Sequence, residues 1–174
     1  MQDSEIAMRE QLVAWAGDCV VRGDVSVGDG RISDQVNQAA LLTFFGATLE
    51  ALEDGHRVEV EELEVERHEL HIIEVEGHRG DPNRRLRTVP ERVRMQVGPF
   101  EVTGNLHRQP SAAPLASLAR WMRFVPMTEA EFHVAGTAAT PTRRDVVLVN
   151  RERISRTETL AAWPSGEGPA AEAG

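Results

Sequence analysis

The chain has 174 residues, 41% of them hydrophobic and 27% charged, enough for one ordinary domain or two very small ones. Its net charge of −9 argues against nucleic acid as a partner, and the absence of lysine and tyrosine excludes a Walker phosphate loop, Schiff-base chemistry, a lysine base and a tyrosine acid. A single cysteine, Cys19, rules out an intrachain disulfide, no apolar run approaches the roughly 18 residues of a membrane span, and Met1-Gln2-Asp3-Ser4-Glu5 lacks the features of a secretory signal, so a cytoplasmic protein is expected.

In chain order, Leu12 to Ala16 reads as a strand, Gly17-Asp18 as a tight turn and Cys19 to Val27 as the returning strand. Cys19, Val21, Gly23, Val25 and Val27 share one face and Arg22, Asp24 and Ser26 the other, the period of two that marks a half-buried strand. Cys19 on that apolar face is read as a structural thiol. After the loop Gly28-Asp29-Gly30, Ser33 or Asp34 is placed to cap a helix running through Leu41 or Leu42, with Ile32, Val36 and Ala40 near its apolar face. A strand then opens at Ala47-Thr48-Leu49 and turns at Asp54-Gly55, and strands follow over Arg57 to Glu66, with a bulge expected at Glu61-Glu62, and over Glu69 to Val75.

The pattern then starts again. Residues 17–25, Gly-Asp-Cys-Val-Val-Arg-Gly-Asp-Val, align without a gap with residues 98–106, Gly-Pro-Phe-Glu-Val-Thr-Gly-Asn-Leu, and Val65-Glu66-Arg67-His68-Glu69-Leu70 aligns with Val149-Asn150-Arg151-Glu152-Arg153-Ile154. In this second copy Val93, Met95 and Val97 alternate with Arg92, Arg94 and Gln96 before the turn. Ser111 is placed to cap a helix bearing Leu115, Leu118, Trp121 and Met122, and strands are expected from Ala130, Asp145 and Arg153. Gly23 and Gly104, at equivalent inward positions, suggest a bend or bulge that curls each sheet. The expected organisation is a first β repeat over 9–76, an arginine-rich linker over 77–90, a second β repeat over 91–158 and a mobile tail over 159–174.

Charge is unevenly distributed: residues 1–77 carry 18 acids and 5 arginines, and residues 78–126 carry 3 acids and 9 arginines. Glu62, Glu64 and Glu66 alternate with Leu63 and Val65 to form an acidic ladder on one strand face, read either as a solvated face or as an electrostatic docking site. Arg84, Arg85 and Arg87, joined by Arg92 and Arg94, form the main positive cluster, whose guanidinium forks suit phosphates, carboxylates or an acidic protein surface. No aromatic residue interleaves that cluster as single-strand nucleic-acid binding would require. His68 and His71 lack the i, i+4 spacing of a zinc-binding helix and point to opposite faces of a strand, so neither a metal nor another cofactor is expected.

Each repeat resembles small bacterial β domains that combine a hairpin ending in Gly-x-apolar, a short helix and a later strand opening. The residues carrying the resemblance are Gly23-Asp24-Val25, residues 31–37 and Ala47-Thr48-Leu49 in the first copy, and Gly104-Asn105-Leu106 and residues 125–132 in the second. The resemblance implies a fold and no catalytic residues. The fold class expected is mainly β (α+β): two tandem five-stranded barrel or roll repeats of Sm or SH3 type, each with one short helix, packed as a pseudo-twofold pair. The function expected is a non-catalytic interaction or scaffold protein that binds a protein partner or self-associates. The alternative is a regulator binding a phosphate-bearing ligand or nucleic acid through the Arg84 to Arg94 region.

Overall fold

The computed structural model describes residues 8–27, 31–75, 87–119 and 122–160. Residues 161–174 of the tail expected over 159–174, and most of the expected linker, lie outside the described residues, while Thr159 ends the last strand and Leu160 N donates to Arg92 O at 2.9 Å. The protein is mainly β: the described residues form ten strands, β1 (Met8–Trp15), β2 (Cys19–Val27), β3 (Leu41–Ala51), β4 (Arg57–Glu66), β5 (Ile72–Glu74), β6 (Val89–Val97), β7 (Phe100–Arg108), β8 (Phe124–Val134), β9 (Thr142–Asn150) and β10 (Ile154–Thr159), with one α-helix, α1 (Ile32–Gln38). They form one antiparallel sheet, unclosed, in the order β10-β6-β7-β8-β9-β5-β1-β2-β3-β4.

The first five strands are ordered β5-β1-β2-β3-β4 and the last five β10-β6-β7-β8-β9, the same arrangement in each half. The halves meet where β5 pairs with β9, Ile72 opposite Val149 and Ile73 opposite Leu148. By strand order β5 corresponds to β10, and β9 to β4. A pseudo-twofold pair would join like edges, whereas here unlike edges meet, so the relation between the halves is head to tail.

Gly23 and Gly104 each sit opposite a bulge. The register of β2 on β3 slips between Arg22 and Asp24, and that of β7 on β8 between Thr103 and Asn105. A Cβ on Gly23 would lie 3.0 Å from the Phe45 carbonyl oxygen, and one on Gly104 2.8 Å from the Met127 methyl. The bulged strands carry the left-handed residues Gly46 (φ 57°) and Glu129 (φ 48°). The bulge expected at Glu61-Glu62 does not form: β4 keeps one register along β3 from Leu41 opposite Glu66 to Glu50 opposite Arg57.

Two helix expectations need correction. The helix α1 ends at Gln38 because Ala39 is already extended, and residues 41–46, placed partly in that helix, belong to β3. Between β7 and β8 a short 3-10 turn, Ala116–Ala119, stands in place of a second helix. Leu115 has φ 59°, which interrupts helical backbone, and its N–H donates to the Glu91 carboxylate at 2.9 Å. β8 likewise starts at Phe124, six residues before the expected opening.

Two apolar clusters fill the molecule, and each borrows from the other half. Phe124 and Leu148 of the second half pack with Leu70, Val36 and Ile73 of the first. Ile72 belongs to the second-half cluster, and Trp15 packs against it, its ring edge-on to Phe100 and Phe132 with centroids 5.8 and 5.1 Å away.

Candidate functional site

The acidic ladder lies along β4, the terminal strand at one end of the sheet. Glu62, Glu64 and Glu66 are all exposed there, and among the described residues β4 pairs only with β3, so that no described strand claims its outer row of backbone groups. Glu66 accepts from His68 Nδ1 at 2.9 Å. At the other end of the sheet β10, among the described residues, pairs only with β6 and carries Ser155, Arg156, Thr157, Glu158 and Thr159.

Arg84 and Arg85 lie outside the described residues, and Arg87 is exposed. Arg92 donates to the Glu129 carbonyl at 2.9 Å, while Arg94 lies 3.7 Å from Glu101 and 3.9 Å from Glu158. Both β6 arginines are thus held by groups of their own half. Among the described residues the ladder lies on β4 of the first half, and Arg92 and Arg94 lie on β6 of the second.

The most densely organised polar chemistry is at the junction of the halves, at residues that sequence reading did not single out. Glu74 on β5 is 1% exposed and accepts from Trp15 Nε1 at 2.8 Å and from Arg144 Nε of β9. One carboxylate thereby ties an aromatic of β1 to a cation of the other half. Asn37 on α1 works as a surrogate peptide: its Oδ1 accepts from Phe124 N at 2.8 Å and its Nδ2 donates to Phe124 O at 3.1 Å. Asn150 is fully buried and donates to Leu70 O at 2.7 Å, while its N–H donates to His71 O at 2.8 Å. These pairs span 59 to 87 residues of chain and carry no local signature.

His71 lies between the two tight turns, with Gly98 so close that a Cβ there would be 2.2 Å from His71 Cδ2. Its Nδ1 is buried without a hydrogen-bond partner. Burial, and then the Arg153 guanidinium, hold His71 below the ordinary imidazole value, which favours the neutral ring. His68 is exposed and separate from it, and no group of three or more His, Cys, Asp or Glu among the described residues converges for a metal. Burial and the Asp18 carboxylate push the Cys19 thiol up to about 11, so at neutral pH it is a packing group and a poor nucleophile.

Hollows lined by described residues open on the surface at two of its regions. One, of about 420 Å³, is lined by Arg9, Arg22, Asp24, Phe45 and Gly46 around the first bulge. The other, of about 370 Å³, is lined by Leu118, Arg151, Glu152 and Ile154 at the free end of the second half. No helix among the described residues is long and apolar enough to cross a membrane. Compared with protein-family models, curated proteins and solved structures, the chain matches none of them.

Proposed function

We propose that this chain is a non-catalytic assembly module of the bacterial cytoplasm, built from two copies of one small five-stranded β unit of Sm or SH3 type. The observation that carries this reading is the ladder of Glu62, Glu64 and Glu66 on β4, the terminal strand of the sheet among the described residues. An exposed strand edge is a template for another strand, and charge along it selects which partner is accepted. The other ionisable groups near the core serve the fold: Glu74 and Arg144 join the halves, Glu91 holds the loop after β7, and Arg92 and Arg94 are engaged by neighbours.

The test is recovery of complexes on tagged full-length chain from its native cells, at low and high salt, beside a variant carrying Glu62→Lys, Glu64→Lys and Glu66→Lys. A polypeptide retained by the natural chain, released by salt and lost from the variant supports the reading. It is overturned if no polypeptide is retained, and a nucleotide or other phosphate-bearing ligand that then raises the melting temperature of the purified chain favours the ligand-binding alternative.

A further inference from the structure

The joint between β5 and β9 leaves the same two kinds of edge free at the ends of the molecule. β4 corresponds to β9 and β10 to β5, and the correspondence extends to side chains and cavities. Strand registers equate Val65 with Val149, which face Leu42 and Val125 on the neighbouring strands, and Ile72 with Arg156, which face Trp15 and Gln96. A matching backbone bond runs from Arg67 N to Ala40 O at 3.0 Å and from Arg151 N to Arg123 O at 2.8 Å.

On that correspondence the knob at the joint is Phe124, fully buried among first-half residues that include Val36 and Leu70. Its counterpart at the free end is Leu41, which is 46% exposed, one of three large hydrophobic residues so exposed among those described. The counterparts of Arg67, His68 and Leu70 beside that buried site are Arg151, Glu152 and Ile154, and these three with Leu118 line the 370 Å³ hollow. The molecule therefore carries an exposed knob at one end and a matching hollow at the other.

We infer that the chain associates head to tail with a second copy of itself, β4 of one molecule pairing with β10 of the next and Leu41 entering the hollow between Leu118 and Ile154. This rests on the assembly reading above and names the partner. The joint within the chain sets the register, in which Val65 faces Arg156 as Val149 faces Ile72. Glu66, Glu64 and Glu62 then stand opposite Ser155, Thr157 and Thr159, so each carboxylate meets a hydroxyl donor. The corresponding positions at the joint are Asn150, Leu148 and Val146 against His71, Ile73 and Val75. At two of these three pairs, Leu148 with Ile73 and Val146 with Val75, the free edges have exchanged apolar character for polar character on both sides and in matching register. The result is a reversible contact where the joint is permanent. Because the contact is heterologous, it propagates until a ring closes or a filament grows.

The experiment is sedimentation equilibrium of the purified full chain over a wide concentration range, combined with crosslinking of two single-cysteine proteins, Leu41→Cys and Leu118→Cys, each in a Cys19→Ser background checked for native circular dichroism. Expected are concentration-dependent association and a 41–118 adduct, formed on mixing, under a short bis-maleimide. Leu41→Asp should return the chain to monomer, as should Glu64→Arg, which alters the strand pairing without touching the knob. A monomer at every concentration, or crosslinks only between like positions, overturns the inference. If such a monomer still holds a different host polypeptide in a manner sensitive to the Glu62, Glu64 and Glu66 charges, the assembly reading survives and the homotypic partner falls. If no polypeptide is held either, both fall.

Discussion

The joint between β5 and β9 and the free edges β4 and β10 use the same backbone topology with opposite side-chain chemistry. At the joint Ile72, Ile73, Leu148 and Val149 are all but fully buried, and Glu74 is paired with the Arg144 guanidinium and accepts a hydrogen bond from Trp15. At the free edges the corresponding places hold Arg156, Thr157, Glu64 and Val65, all but the last exposed or half-buried. The difference teaches that strand order alone does not decide whether two edges stay together. Removal of apolar area from water decides it, and the polar residues on β4 and β10 offer little of it.

The comparison breaks most severely if the joint is emptied. Trp15→Ala removes the ring that rests on Phe100 and Phe132 and the donor to Glu74, and should cost about 3 kcal/mol of stability, measured by chemical denaturation. Gly98→Ala should cost about 2 kcal/mol, because φ 55° strains any Cβ and the new methyl runs into the His71 ring. Adding His71→Ala should recover part of that loss in a double-mutant cycle; strict additivity would mean that the ring is not the obstacle.

The two bulges sharpen the comparison between halves. Gly46→Ala should cost about 1 kcal/mol, since the left-handed conformation there suits glycine. Glu129→Gly at the corresponding position should change stability by less than about 1 kcal/mol, strain relief being offset by loss of the 2.9 Å bond from Asn105 to the Glu129 carboxylate. The smallest effect is a slope with pH. With the folded His71 held below the ordinary 6.5, the unfolded chain binds the proton first as pH falls, so the contribution of the neutral ring is complete above about pH 6.5 and declines below it. His71→Gln should flatten melting temperature against pH in that window, and an unchanged slope would assign it to other groups.

Strands that bury one face and wet the other were legible. β2, β6 and β7 alternate in sequence because core and solvent alternate along them. The starts of β3 and β8 were not, because Leu42 and Phe44, like Phe124, Val125 and Met127, follow segments whose spacing also fits a helix. The missing second helix turns on Glu91, 24 residues from the Leu115 N–H it binds. The acidic ladder was readable as an exposed face, but its place on a terminal strand depends on the order of all ten strands. The joint itself had no local signal: Glu74 lies in an apolar run, and its partners are 59 and 70 residues away.

The most direct measurement is amide hydrogen exchange of the full chain at low and high protein concentration, resolved by strand. Protection of β5 and β9 should be the same at both concentrations, while β4 and β10 gain protection together as concentration rises. Fast exchange in β4 and β10 that is indifferent to concentration, or protection of one edge without the other, would contradict head-to-tail pairing of the free edges.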